Sequence, residues 1–223
     1  MTVLNTLVAK PLRTAFAAAL AVAVPAAGLM LPAAPAAAQN SAQQLDQVVG
    51  ALRAITTLRA DFIQTDRTGQ SVRGVLTLKQ PGKIRFEYEK AAQMLIVSNG
   101  RSLTFQDYAV NQRQRWPIGN SPLGALLDPN RDVKRYGKLV PTSNPNVLSV
   151  EVKDPKKPEY GVITLIFIRE PGAPGGLELN SWVALDAQNK RTTVRLSNHR
   201  YGLNVADSIF TIPDPRNTGG RRN

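Results

Sequence analysis

The chain has 223 residues, with 28 Lys and Arg against 16 Asp and Glu, one His and no Cys. The lack of cysteine excludes disulfides, thiol nucleophiles, iron–sulfur clusters and an acylated cysteine, and a single histidine excludes a multi-histidine metal site. A hydrophobic fraction of 43% with 20% charged residues is typical of a folded globular protein. The net charge of +12 indicates an anionic partner.

The N-terminal segment has the pattern of a secretory signal peptide. Two cations and no acid precede an Ala/Val/Leu stretch from 15 to 31, and Ala36-Ala37-Ala38 forms an A-x-A cleavage site. We therefore predict a cleavable signal peptide over 1–38 and a periplasmic mature protein. The alternative, a retained membrane anchor, is disfavoured by Pro25 and by the weakly apolar alanines. Export also makes nucleic acid a poor partner.

The mature chain is predicted to be one domain over 39–213, followed by a basic, disordered tail over 214–223. It begins with one amphipathic helix that Ser41 caps. The apolar positions of this helix recur at three- and four-residue steps and are Leu45, Val48, Val49, Leu52, Ile55 and Leu58.

Short β-rich runs separated by turn signals follow this helix. The first six predicted strands are 61–66, 72–79, 83–89, 93–98, 102–107 and 111–116. The Asn99-Gly100 pair between two of them predicts a type I′ hairpin, because both residues tolerate positive φ.

Two short helices interrupt the strands. Ser121 is the predicted cap of the first, over Pro122–Leu127, and a second helical turn is predicted over Asn130–Tyr136. Five more strands are then predicted at 147–153, 161–169, 177–186, 191–198 and 205–211. The sequence therefore predicts a mainly β fold with one strongly curved antiparallel sheet of eleven strands.

The strands alternate apolar and polar side chains. Leu76 and Leu78 share one face of their strand, and Ile84, Phe86 and Tyr88 share one face of the next. This alternation predicts an apolar concave face and a polar outer face. The apolar side chains either close into an ordinary core, which periodicity alone favours, or leave a half-filled interior, because the predicted helices are few.

Several segments resemble one known family. They are Gly74–Tyr88 (GVLTLKQPGKIRFEY), Leu95–Gly100 (LIVSNG), Leu103–Phe105, Asn111-Gln112, Ser121–Leu127 (SPLGALL) and Phe62–Gln64 (FIQ). In this order, behind a signal peptide, they resemble the LolA family, the periplasmic carriers of outer-membrane lipoproteins.

The resemblance implies an open, incomplete antiparallel barrel of eleven strands, covered by an N-terminal helix and short lid helices. Such a protein shelters lipoprotein acyl chains in an apolar cavity, uses no cofactor and catalyses no reaction. The implied cavity residues are Leu76, Leu78, Ile84, Phe86, Tyr88, Met94, Ile96, Leu103 and Phe105. Which alternate residues of 94–97 point inward stays open, because all four are apolar.

The resemblance also implies a lid formed by Leu123, Leu126 and Leu127. Many family members have Arg between the Lys and Pro that correspond to Lys79 and Pro81, where it bonds the lid backbone. This chain has Gln80 there, and an uncharged amide is expected to hold the lid more weakly.

A basic strip flanks the predicted lid in sequence. It is either a solvated face or a docking surface for a donor complex or for anionic lipid. Its members are Arg113, Arg115, Arg131, Lys134, Arg135 and Lys138, of which Arg113, Arg115, Lys134 and Arg135 are the predicted docking patch.

The function that we expect is a monomeric periplasmic shuttle that carries acylated lipoproteins from the inner to the outer membrane. Its expected partners are those lipoproteins and an inner-membrane ABC transporter that releases them, and an outer-membrane acceptor is left open. The alternative is a periplasmic sensor or assembly factor of the same fold. An esterase is disfavoured, because His199 has no nucleophile motif and the pairs Asp61/Asp66 and Glu87/Glu89 lie among opposite charges.

Overall fold

The structure, a computed structural model, describes residues 36–118, 124–127 and 133–212. The predictions for most of the signal peptide, for the Ser121 cap, for Leu123 and Arg131 and for the basic tail lie outside these residues. Within the described part of the chain, no helix is both long enough and apolar enough to cross a membrane.

Helix α1 (Ala36–Ala54) begins five residues before the predicted cap. Ser41 lies inside the helix, so its predicted capping role is wrong. Ala36, Ala37 and Ala38 precede it, and alanine has the highest intrinsic helix propensity. The alanine run that suggested a cleavage site therefore also extends the helix backwards.

Eleven strands form one antiparallel sheet, as predicted. In chain order they are β1 (Thr57–Thr65), β2 (Ser71–Lys79), β3 (Lys83–Tyr88), β4 (Met94–Asn99), β5 (Ser102–Asp107), β6 (Gln112–Pro117), β7 (Gly137–Val140), β8 (Val147–Val152), β9 (Val162–Arg169), β10 (Leu177–Leu185) and β11 (Arg191–Tyr201). The short helices α2 (Gly124–Leu127) and α3 (Val133–Tyr136) lie between β6 and β7 in the chain.

The sheet is open, and the first and the last strand of the chain are neighbours in its middle. The strand order is β6-β5-β4-β3-β2-β1-β11-β10-β9-β8-β7, so β6 and β7 are the edges of the described sheet. Strand β1 pairs with β2 on one side and with β11 on the other, and this second ladder includes the pair Leu58 and Tyr201. Two meanders, β1–β6 and β7–β11, are thus joined by β1 and β11.

The predicted number of strands is confirmed, but two errors cancel within it. Strand β7 was missed, because it is an edge strand of only four residues directly after α3. The predicted strand at 205–211 is wrong, because Asp207–Phe210 forms a 3₁₀ turn. The apolar residues of this segment have the spacing of a strand, but they attach the turn to the outer face of the sheet.

The predicted hairpin at Asn99-Gly100 exists, but its turn type differs. Gly100 has φ 95°, whereas Asn99 is not among the described residues with positive φ. The Asn99 side-chain oxygen instead accepts hydrogen bonds from the backbone N–H groups of Arg101 and Ser102, at 3.0 and 3.1 Å. This side-chain turn replaces the predicted type I′ turn.

The main core lies between α1 and the concave face of the sheet. Val48 and Leu52 of α1, and Ile55 directly after the helix end, are at most 1% exposed. The turn before β10 supports the helix from one side, where Gly175 has φ 67° and a Cβ there would lie 2.7 Å from the Ala51 Cα. Only glycine permits both this φ and this close approach.

A smaller hydrophobic cluster lies on the outer face. Leu95 and Val97 of β4 pack there against Phe210, which is 1% exposed. Phe210 belongs to the C-terminal strap, which we define as residues 203–212. Val205, Ile209 and Ile212 of the strap also pack against this cluster.

Polar contacts hold the same strap. The Asp207 carboxylate accepts hydrogen bonds from the Nζ atoms of Lys79 and Lys83, each at 2.7 Å. Arg85 Nη1 donates to the Ile209 carbonyl at 3.0 Å. The two lysine hydrogen bonds lower the pKa of Asp207 from 3.8 to about 2. The strap is therefore attached by both apolar and charged contacts.

Because the pKa of Asp207 is depressed in the folded protein, its carboxylate contributes stability above pH 3.8 that is lost as the pH falls through about 2. We expect the methyl NMR signals of Ile209 and Ile212 to shift towards exposed positions across this range. The variant Asp207→Asn should lack this transition while keeping the rest of its acid titration. An identical transition in the variant would contradict the assignment.

Gly74 leaves the space that the Phe62 ring occupies. A Cβ at Gly74 would lie 2.2 Å from the Glu87 carbonyl oxygen and 2.7 Å from the Phe62 ring. We expect Gly74→Ala to lower the free energy of unfolding by about 2 kcal/mol, because overpacking displaces backbone and ring. Urea unfolding measures this.

The matched control for this change is Gly50→Ala on α1, where a Cβ meets nothing within 4 Å. It should raise stability by about 0.5–1 kcal/mol through helix propensity. Equal effects of the two substitutions would show that the Phe62 contact does not matter.

Candidate functional site

The concave face is built around four aromatic side chains. The Phe62 ring lies edge-to-face against Phe86 and Tyr88, with centroids 5.4 and 5.1 Å apart, and Phe86 lies edge-to-face against Trp182 at 6.0 Å. Edge-to-face pairs at these distances are favourable contacts. Phe62 and Trp182 therefore belong to this face, although the sequence analysis did not place them there.

The predicted cavity residues mostly lie together on the concave face. Leu76, Leu78 and Ile84 are at most 1% exposed, and Leu103 is 2% exposed. They belong to one buried cluster that also includes Phe86 and Tyr88.

The remaining three predicted residues lie nearer the rim. Met94 and Ile96 are half-buried and pack against that cluster, whereas Leu95 and Val97 belong to the outer cluster. This settles which residues of 94–97 point inward. Phe105 pairs with Ile96 and is half-buried, but it is not part of the buried cluster.

The second half of the chain supplies as much of this face as the first. The residues that the sequence analysis did not assign are Val150, Val152, Ile163, Leu165, Phe167, Leu177, Leu179, Val194 and Leu196. The signal was present, because alternate residues of β8 and β9 are apolar. It was not used, because the family motifs are concentrated in the first half.

Polar groups within this face are few and uncharged. Tyr88 Oη donates a hydrogen bond to Gln64 Oε1 at 2.7 Å. Burial raises the pKa of Tyr88, so that the phenol stays protonated. No Asp, Glu, Lys or Arg is buried in residues 40–118, 124–127 and 133–212. An apolar chain would therefore meet no buried charge there.

Helix α2 covers part of the concave face. Ala125, Leu126 and Leu127 are at most 2% exposed, as expected of a lid. Gln80 Nε2 donates a hydrogen bond to the Leu126 carbonyl at 3.3 Å. Gln80 thus contacts the backbone of the predicted lid. The bond is long and uncharged, so it is weak.

The predicted docking patch is divided between two elements. Arg113 and Arg115 lie on β6, where their Nε atoms donate to Gln106 Oε1 and Ser102 Oγ, each at 2.7 Å. Lys134 and Arg135 lie on α3, which leads into the opposite edge strand, β7.

The two cations on α3 are less constrained. The Nζ atom of Lys134 lies 3.7 Å from Asp46 Oδ1, with both side chains more than 60% exposed. The Arg135 guanidinium lies 5.2 Å from the centroid of the Tyr136 ring. The four residues therefore do not form one continuous row on a single element.

His199 occupies a structural position. Its Nε2 lies 2.9 Å from the Leu179 carbonyl, and its Nδ1 lies 3.4 Å from Glu178 Oε2. The ring stacks on Tyr201. These contacts agree with the interpretation that His199 is a satisfied side chain rather than a general base.

Three of the four carboxylates in the predicted pairs also have structural partners. Asp66 Oδ1 accepts three hydrogen bonds within its own turn, which lower its pKa. Asp61 accepts a hydrogen bond from Asn198 at 2.7 Å, and Glu87 accepts one from Arg85 at 3.2 Å. No cluster of three or more metal-ligating side chains occurs within the described residues.

Comparison with known proteins places these observations in a family. Residues 53–213 match the family model "Outer membrane lipoprotein carrier protein LolA". The chain is 36% identical over 139 residues to an outer-membrane lipoprotein carrier protein of Chromobacterium violaceum, covering 57% of this chain and 67% of the relative. It is 27% identical over 205 residues to the protein of that name from Methylobacillus flagellatus, covering 88% and 95%.

A solved structure of a LolA superfamily protein from Nitrosomonas europaea aligns with a TM-score of 0.45 and 13% identity, covering 77% of this chain and 98% of that one. The family model alone spans most of the chain, including α2 and every described strand. The chain therefore belongs to the LolA family of outer-membrane lipoprotein carrier proteins.

Proposed function

We propose that this protein shelters the acyl chains of lipoproteins against its concave face and carries them through the periplasm from the inner to the outer membrane. The observation that carries this proposal is the one-sided sheet. Its concave face is apolar along both meanders, and short helices cover it instead of a second sheet. Family membership supports a carrier role, and the acyl-binding mode is our inference from this face.

A carrier is needed because exposing acyl chains to water is unfavourable. A chain of about 14 methylenes costs on the order of 11 kcal/mol to transfer from lipid to water, at ~0.8 kcal/mol each. Contact with apolar side chains offsets most of this cost. No covalent chemistry is required, so we propose that the protein acts without catalysis or a cofactor.

Cargo would enter by replacing the helices that now cover the concave face. Leu126 and Leu127 of α2 are buried in that cluster, and an acyl chain can take over the contacts that they lose. Among the described residues, the only hydrogen bond between α2 and the sheet is that from Gln80 to Leu126. We infer that α2 is the part of the cover that moves first.

We further propose that the docking patch guides encounter with a donor, an inner-membrane ABC transporter. Lys134 and Arg135 are its better candidates, because they are exposed beside α2 in sequence and their contacts are weak. Arg113 and Arg115 are fixed by hydrogen bonds across β5 and β6. Acyl chains carry no charge, so the patch would act on loading and not on retention.

We expect Phe86→Glu to reduce uptake of a fluorescent triacylated lipopeptide by at least about tenfold, because a carboxylate on the concave face opposes apolar burial. Binding is measured with the purified protein, and folding is checked by circular dichroism. The control is Thr104→Glu, which adds the same charge on the outer face.

Phe86 is 3% exposed, so its substitution also threatens folding. Ile96→Glu tests the same face at a half-buried position. Normal uptake by a folded Ile96→Glu protein would contradict the acyl-binding role of this face.

Gln80→Arg should slow transfer of bound lipopeptide to acceptor vesicles about fivefold. A charge-assisted hydrogen bond to a carbonyl is about 1 kcal/mol stronger than the neutral bond present now. Gln70→Arg, which adds a charge in the exposed turn after β1, is the matched control. Equal rates for the wild type and Gln80→Arg would show that position 80 does not control the lid.

A further inference from the structure

The centre of the outer face carries four arginines on three neighbouring strands. Along β1, Leu58, Ala60 and Phe62 are buried, so Arg59 and Ile63 face outward. Ile63 pairs with Arg73 of β2 on one side and with Arg195 of β11 on the other, and Arg59 pairs with Arg200 of β11. We define the central arginine patch as Arg59, Arg73, Arg195 and Arg200 around Ile63.

This arrangement is unfavourable for the stability of the sheet. Like charges directly across two strands, as in Arg59 and Arg200, are destabilising, and opposite charges are favoured in such positions. In residues 36–118, 124–127 and 133–212, none of the four guanidiniums forms an ion pair or a side-chain hydrogen bond. Their charges therefore stay available to an external partner.

Several other cations of the same sheet have partners. Lys79 and Lys83 bind Asp207, and Arg85 binds Glu87. Arg169 Nη1 donates to Gln47 Oε1 at 3.2 Å, and its Nε donates to the Pro145 carbonyl. Lys138 of β7 and Arg191 of β11 also form no ion pair or side-chain hydrogen bond among the described residues, so the central arginine patch is distinguished by the clustering of its four cations.

The carboxylates near the patch leave it positively charged. Asp61 lies within it and accepts a hydrogen bond from Asn198 at 2.7 Å. Glu87 lies beside Val75 at its margin and is engaged by Arg85. Glu89 is exposed at the end of β3, where its N–H bonds the Arg73 carbonyl. Four guanidiniums therefore surround a single internal carboxylate.

An exposed apolar side chain lies at the centre of these charges. Ile63 is 39% exposed and is one of only four large apolar side chains exposed among the described residues. Three strands at ~4.8 Å spacing and four residues at ~3.3 Å place the patch within roughly 10 by 13 Å. Such a surface combines cationic groups with a short apolar anchor.

We propose that the central arginine patch docks the protein on anionic phospholipid surfaces. Guanidinium groups bind phosphate with two parallel hydrogen bonds, and Ile63 adds an apolar contact between Arg73 and Arg195. A headgroup layer imposes no fixed shape, so a convex sheet face can contact it. The inference goes beyond the proposed cargo site, because it uses the opposite face of the sheet.

An acidic protein surface is the less favoured partner. Protein interfaces are centred on aromatic anchors that fill pockets, and the patch contains no aromatic residue. A small patch with four cations binds weakly and reversibly, because each basic residue near an anionic membrane strengthens binding only about fivefold. A carrier that must leave one membrane for another needs contact of this kind.

The test is sedimentation of the cargo-free, full chain with two kinds of vesicle, phosphatidylcholine alone and phosphatidylcholine containing phosphatidylglycerol. We expect binding only to the second kind. The double variant Arg73→Gln/Arg195→Gln should weaken it by about 25-fold, from about fivefold per cation. These side chains are exposed, so the fold should be unaffected.

The matched control is Lys153→Gln/Lys156→Gln, which removes the same charge from exposed positions elsewhere. It should weaken binding less than about threefold. For the apolar anchor, Ile63→Ser is compared with Val140→Ser, since the two side chains are 39% and 38% exposed. Only the change at Ile63 should weaken binding.

If the lysine control loses as much vesicle binding as the arginine variant, binding depends only on net charge and the proposal is overturned. Binding to neither kind of vesicle would also overturn it and would favour an acidic protein partner instead. Because no cargo is present, either failure leaves the proposed acyl-binding function untouched. Conversely, normal lipopeptide uptake by a folded Ile96→Glu protein would contradict the acyl-binding function and leave the docking proposal untouched.

Discussion

One-sided burial is the constraint on which the rest of this structure depends. A single antiparallel sheet with one apolar face must cover that face, and here α1 and the two short helices α2 and α3 are the only α-helices among the described residues. In closed barrels and sandwiches, other strands cover such a face. Apart from α1, this protein covers the face with helices of only four residues, so this part of its cover is weaker than its frame.

The difference between cover and frame follows from their contacts. The strands are joined by continuous backbone ladders, and α1 fits closely against the turn at Gly175. Helix α2, in contrast, is held among the described residues by apolar contact and by one long hydrogen bond from Gln80. A ligand that restores apolar contact therefore competes with α2 more easily than with any strand. Binding and opening can then be parts of one equilibrium.

The sequence predicted the frame better than its details. The alternation in Leu76, Leu78, Ile84 and Phe86 identified the concave face, because strand periodicity reports directly on which side is buried. The alternation could not show which residues of the continuous apolar run 94–97 point inward. Phe210, which lies far along the chain, covers the outward-facing ones. The alternation also misassigned 205–211, because apolar residues that anchor a turn have the same spacing as those of a short strand.

The sequence predicted those residues of the candidate site that belong to family motifs. It could not predict residues whose position depends on the pairing of strands that are distant in the chain. Nothing local in the sequence shows that Arg59 lies opposite Arg200, since the register between β1 and β11 joins distant segments. The same holds for Phe62 and Trp182. Sequence patterns specify the face of a residue, and only the register specifies its neighbours.

That register has a consequence for the order in which the chain can fold. The first strand pairs with the last, and the ladder from Leu58 to Tyr201 joins the two meanders at the centre of the sheet. A chain that emerges from its N-terminus can form the first meander early, but it cannot complete the sheet until β11 is free. Contacts of such large sequence separation form slowly. The polypeptide therefore cannot complete its sheet until nearly its whole length is available.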